Sequence, residues 1–114
     1  MIDNVGIDIV ENKRIKLKKE FIIKVLSENE IKTFNNKNKK QQKEFLAGRW
    51  AVKEAIIKTL TYPISMNKID IEYVDQKPVI QNQELNNILI SISHEKKYAV
   101  GIAIKQCNIK ENKN

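Results

Sequence analysis

Four charged residues fall within a mostly apolar stretch at residues 49–58: Arg49, Lys53, Glu54 and Lys58. At ~100° per residue on an α-helix, Arg49 and Lys53 lie among Phe45, Leu46, Ile56, Ile57 and Leu60 rather than opposite them. Charge among apolar groups is costly without a partner, so these two cations call for a polyanion. The alternative is that their stems pack on the core while the heads reach solvent. Glu54 and Lys58 sit one turn apart, beside Ala47 and Ala51, whose small side chains leave room for a backbone or a ligand. An ordinary i,i+4 ion pair worth ~0.5 kcal/mol accounts for Glu54 and Lys58 equally well. Upstream, Asp8 alternates with Ile7 and Ile9, so it can project from a strand whose other face is packed; a helix N-cap or turn role is the plainer account. His94 is the only histidine, and its position near a strand end suits a structural role as well as a chemical one.

The elements that must hold these groups follow from the hydrophobic pattern. Val5, Ile7 and Ile9 alternate as a first strand. Residues 21–26 are apolar and read as helix. Ser27 and Glu30 have capping-box spacing, which starts a second helix near Glu28 and runs it to Phe34. Residues 35–43 are almost wholly polar and read as a loop, with a long helix from about Gln41 to Leu60. Tyr62-Pro63 breaks that helix. Residues 69–74 alternate as a strand, residues 75–78 turn, and Val79-Ile80 begins a short return. Residues 88–93 and 98–104 form two more strands, joined as a hairpin through residues 94–97. Strand, helices, then antiparallel strands give an α+β fold.

The 114 residues suit one domain, residues 1–109, followed by a polar tail at residues 110–114. No apolar run approaches a membrane span, and the start has no basic region followed by a long apolar one. A single cysteine, Cys107, allows no internal disulfide, and no Cys/His cluster suits zinc. A cytoplasmic protein is expected. The net charge of +7 favours an anionic partner: nucleic acid, a membrane surface, a phosphorylated ligand or an acidic protein. Many of the lysines can equally be solvated surface. There is no glycine-rich phosphate loop and no internal repeat.

Three blocks, in order, resemble the holo-acyl-carrier-protein synthases, the small bacterial 4′-phosphopantetheinyl transferases. Gly6-Ile7-Asp8-Ile9-Val10-Glu11 with Arg14-Ile15 is similar to the family's N-terminal motif. Phe45-Leu46-Ala47-Gly48-Arg49-Trp50-Ala51-Val52-Lys53-Glu54-Ala55 with Lys58 is similar to its central helix motif. Ser91-Ile92-Ser93-His94 with Tyr98-Ala99-Val100 is similar to its C-terminal motif.

The resemblance implies transfer of the phosphopantetheine arm of coenzyme A to a serine of apo acyl carrier protein, releasing adenosine 3′,5′-bisphosphate. It implies a curved antiparallel sheet around a long central helix, and a homotrimer with active sites between subunits. It makes Asp8 and Glu54 ligands of Mg²⁺ and Lys58 a phosphate or transition-state contact. It makes Arg49, Lys53, Ser93 and His94 coenzyme A contacts, and Arg14 a docking residue for the acidic carrier. Lys13, Lys16, Lys18 and Lys19 would widen that patch. The chain departs from the family in a shorter segment after Ile15, in Leu60-Thr61-Tyr62-Pro63-Ile64 where a glycine turn is usual, and in Trp50 for a more usual Phe. Two rivals are a basic nucleic-acid-binding module, for which no motif is present, and a non-catalytic relative that binds coenzyme A or carrier protein. Neither nucleic acid nor membrane is the expected partner.

Overall fold

The computed structural model describes residues 1–107, so the expected tail at residues 110–114 lies outside the described residues. Strand β1 (Ile2–Glu11) passes through a 3-10 turn at Asn12–Arg14 into helices α1 (Lys19–Val25), α2 (Glu28–Asn35) and α3 (Lys39–Lys58). Strands β2 (Ile71–Val74), β3 (Lys77–Ile80), β4 (Ile88–His94) and β5 (Tyr98–Gln106) follow. The class is α+β. The strands form an antiparallel sheet in the order β1-β5-β4 and a separate β2-β3 ribbon, whose turn at Asp75 and Gln76 takes positive φ at both residues.

Local signals explain the helix starts. Ser27 caps α2 with Glu30 answering back to its backbone N–H. Asn38 and Gln41 make the same reciprocal pair and start α3 at Lys39, so the loop expected at residues 35–43 shrinks to three residues between the helices. An Asn four residues before a periodic run, with Gln three beyond it, carries that signal in the sequence.

Helix α3 lies across the three-stranded sheet, and all three glycines of the chain sit where other elements meet it. A Cβ on Gly6 would fall 2.0 Å from the Ala55 carbonyl oxygen, and one on Gly101 2.4 Å from the Val52 backbone nitrogen. Strands β1 and β5 therefore touch the helix backbone. Two apolar clusters fill the space around it: Leu46, Ala47 and Ala51 with Val10, Val25, Leu26 and Phe34, and Val52, Ala55 and Ile56 with Ile69, Ile71, Leu85 and Ile88.

Alternation along β1 puts Gly6, Asp8 and Val10 on the face toward α3. The opposite face was expected to be packed. Instead Ile7 and Ile9 are 58% and 60% exposed, alongside exposed Val5 and Leu89. Strand register places Val5, Ile7 and Ile9 beside Ile104, Ile102 and Val100 of β5. Among the described residues no element covers this side of the sheet; the packed side is the one that carries Asp8.

Candidate active site

Close approach at Gly6 sets the first part of the site. With β1 against Ala55, the Asp8 side chain lies along α3 and the Lys58 ammonium spans the seam. Lys58 Nζ donates to the Ile7 carbonyl at 2.8 Å and to Asp8 Oδ1 at 3.4 Å. Glu54 shares this flank, one turn before Lys58. The i,i+4 pair that spacing allowed is not made: Lys58 pairs with Asp8, and Glu54 pairs with no cation among the described residues. Asp8 and Lys58 thus meet from elements 50 residues apart in sequence, with half-buried Glu54 one turn before Lys58 on α3.

A cleft of about 790 Å³ forms the second part, on the other flank of α3. Its walls include Lys37, Gln41, Glu44, Phe45, Arg49, Tyr73 and His94. The Arg49 guanidinium lies 4.3 Å from the Phe45 ring centroid and 5.5 Å from that of Tyr73, and Lys37 Nζ lies 5.3 Å from Phe45. Such stacking holds a cation flat against the wall while leaving N–H groups for a ligand. His94 is admitted by Gly48, where a Cβ would meet the imidazole at 2.8 Å. Burial pushes the His94 pKa down; Glu44 pulls it up less strongly and Arg49 adds to the lowering.

Arg49 and Glu54 are about 140° apart around α3. One chain therefore presents the carboxylate pair on one flank and the aromatic-cationic cleft on the other. His94 pairs across β5 with Val10, so it stands two strands from β1, roughly 10 Å at the usual spacing.

Two residues expected at the ligand are placed elsewhere. Lys53 is fully buried, and Nζ donates to Glu30 Oε1, to the Val25 carbonyl at 2.8 Å and to the Met66 carbonyl at 3.0 Å. All three donors are occupied inside the protein, so Lys53 does not face a phosphate. The anion that the two cations called for is Glu30, which also accepts from Arg49 Nε at 3.1 Å. Sequence reasoning found Glu30 only as a capping residue. Ser93 is the second departure. As a neighbour of His94 on a strand it points to the opposite face, exposed beside the uncovered side of the sheet.

Arg14 is exposed at the end of the 3-10 turn. Next to it in sequence, Ile15, Lys16 and Leu17 join Lys39, Lys40 and Lys43 around a groove of about 410 Å³ that has no carboxylate in its lining. The three lysines of the α3 N-terminal turns are not marked by the sequence as one surface, because Lys39 and Lys40 fall in the polar run that looks like loop.

A model of the 4′-phosphopantetheinyl transferase superfamily matches residues 4–103. The chain belongs to this superfamily. The transferase is 84% identical over 110 residues to the holo-[acyl-carrier-protein] synthase of Mycoplasma capricolum, which covers 96% of this chain and all of that protein. It is 37% identical to the one from Halalkalibacterium halodurans, over 91% of this chain and 95% of that protein. A Bacillus anthracis holo-(acyl-carrier-protein) synthase, solved in complex with CoA (3′,5′-ADP), matches the transferase's fold with a TM-score of 0.86 at 32% identity, over 95% of this chain and 99% of that one.

Proposed function

We propose that this chain transfers 4′-phosphopantetheine from coenzyme A to a serine hydroxyl of apo acyl carrier protein, in a Mg²⁺-dependent reaction at sites shared between subunits of a homotrimer. The observation that carries this is the meeting of Asp8 and Lys58 at the β1–α3 seam, with Glu54 on the same flank, in a chain so similar to named holo-[acyl-carrier-protein] synthases.

The donor set fits Mg²⁺. Asp8 and Glu54 supply two hard oxygen ligands, Glu54 has no competing cation among the described residues, and Mg²⁺ characteristically adds substrate phosphate oxygens and water. When bound there, the ion neutralises charge on the diphosphate and orients it. The chain's own groups do the rest. The serine oxygen attacks the phosphorus that bears pantetheine and its hydroxyl proton is released to solvent water; the bond from that phosphorus to the bridging oxygen breaks, and adenosine 3′,5′-bisphosphate leaves with that oxygen. Lys58 adds positive charge where it develops on the phosphoryl oxygens. Phe45, Arg49 and His94 hold the nucleotide in the cleft, so the diphosphate is fixed relative to the carboxylates.

The shared site is supported by the placement of the two halves on opposite flanks of α3. The trimer is supported by the uncovered apolar face of β1, β5 and β4, because exposed apolar patches of this extent mark interaction surfaces. Carrier docking is supported by Arg14 and the neighbouring lysine groove, which suit an acidic surface. The single cysteine, Cys107, is unpaired, which suits a reaction in the reducing cytoplasm.

The test is a mass measurement. The protein incubated with apo carrier, coenzyme A and Mg²⁺ should add one phosphopantetheine mass to the carrier, and Asp8→Ala or Glu54→Ala should add none while remaining folded. Binding of coenzyme A with no mass gain on several carriers would assign the chain to a non-catalytic role.

A further inference from the structure

The buried ionic cluster beneath the cleft contains two basic side chains and one carboxylate; burial lowers the Lys53 pKa, and the charge and hydrogen bond of Glu30 oppose that lowering and favour the ammonium. Glu30 is 2% exposed and accepts four hydrogen bonds: from Ser27 N at 2.8 Å, Ile71 N at 3.0 Å, Arg49 Nε at 3.1 Å and Lys53 Nζ. The backbone bonds fix the carboxylate between α2 and β2, so it cannot follow one cation and abandon the other. Its charge is shared between Arg49 and Lys53. Asp70, the other carboxylate in range of Lys53, is half-exposed and takes its hydrogen bonds from the neutral donors Ser27 Oγ and Asn29 Nδ2. Of the cleft's remaining carboxylates, Glu72 is exposed and Glu44 half-buried.

A buried cation without its own counter-charge is unfavourable unless an anion arrives. Lys53 cannot reach one, since its donors are filled. Arg49 can: only Nε and one terminal nitrogen bond to protein, the latter to the Ile71 carbonyl at 3.4 Å, and the guanidinium lines the cleft. We propose that Lys53 is a positioning residue for coenzyme A binding: by sharing Glu30 it leaves Arg49 with unspent positive charge, which the cleft offers to a nucleotide phosphate. Lys53 never touches the ligand and acts through Glu30 and Arg49. This rests on the transferase reading, and it deepens it by naming what sets phosphate affinity.

The charge balance gives a test that simple packing damage does not imitate. Lys53→Met leaves Glu30 and Arg49 matched one to one. Lys53→Met with Glu30→Gln removes one charge of each sign and restores the surplus on Arg49. Affinity for adenosine 3′,5′-bisphosphate is measured by calorimetry, with KM and kcat for coenzyme A in the transfer assay and thermal melts to confirm folding. One buried unit charge acting at an effective dielectric of about 20 predicts that Lys53→Met weakens product binding about tenfold and raises KM similarly, with kcat unchanged within about twofold. The double variant returns to within about threefold of the unmodified protein. If Lys53→Met does not fold, Lys53→Gln, which keeps a donor for the Val25 and Met66 carbonyls, is measured in its place. Unchanged product affinity in the single variant, or a double variant no tighter than the single, would overturn the assignment. Failure of the unmodified protein to bind product or transfer phosphopantetheine would instead remove the transferase reading itself.

Discussion

Adding one methyl group at Gly6 tests whether the β1–α3 contact positions the chemistry. The new Cβ of Gly6→Ala would lie 2.0 Å from the Ala55 carbonyl oxygen and 2.9 Å from its carbon. Both are backbone atoms of a helix, so no side-chain rotation relieves the clash, and β1 must move outward by about 1 Å to reach ordinary contact. Overpacking of this kind costs ~1–3 kcal/mol, and the rigid neighbour places it near the upper end. Gly6 does not have positive φ, so alanine recovers ~0.4–1 kcal/mol by restricting the unfolded chain. The net loss is about 2 kcal/mol. With an unfolding entropy of ~2.1 cal/mol/K per residue over this length, the melting temperature falls by about 8 °C. Asp8 is two residues along the same face and moves with the strand, away from Glu54 and Lys58. A displacement near 1 Å at reacting groups costs about a hundredfold in rate. Differential scanning calorimetry and the carrier mass-gain assay, run on the folded variant well below its melting point, read the two effects separately. A Gly6→Ala protein that melts and turns over like the unmodified one would show that the seam is not what aligns the site. Lost stability with full activity would show the same of Asp8 alone.

Three other outcomes are expected. Asp8→Asn and Glu54→Gln should each reduce transfer at least ~10³-fold and weaken Mg²⁺ binding measured by calorimetry in the presence of coenzyme A, without lowering the melting temperature. His94 is held below its usual pKa of 6.5 by burial. The unfolded chain therefore binds its proton first, and stability present above pH 6.5 should decline as pH falls through the lowered folded value; His94→Gln should remove that part of the slope in melts across the same window. Ile7→Lys, on the uncovered sheet face, should yield monomers in sedimentation and little transfer, and an unchanged assembly would sink the trimer proposal.

The fold was legible where periodicity and caps were strong. The alternation in residues 5–10, the Ser27–Glu30 box and the Tyr62-Pro63 break placed β1, α2 and the end of α3 to within a few residues. The start of α3 lies two residues before the expected Gln41, because the polar run at residues 35–43 looks like loop while Asn38 and Gln41 carry the cap. In the site, Asp8 and Lys58 stand out in the sequence and pair at the β1–α3 seam, with Glu54 one turn before Lys58, but the partner of Lys58 could not be had from helical spacing: the Asp8 pair comes from strand packing at Gly6. The inner partner of Arg49 and Lys53 was hidden for a related reason. Glu30 lies on another helix, and hydrophobic patterning reports that a charge is buried without saying which distant side chain neutralises it. The face of β1 also differs from expectation, since alternation marks Ile7 and Ile9 as apolar without saying what covers them, and they are exposed.

Because Glu54 and Arg49 occupy opposite flanks of one helix, a defect in either damages only half of what each subunit contributes. In the proposed ring of three, mixing an inactive Asp8→Asn protein with an inactive Arg49→Ala protein and letting subunits exchange should regenerate catalysis. One junction in every hybrid ring unites two undamaged halves, so complementation should approach about a quarter of all sites at equal input. Two dead enzymes would thus make a partly living one.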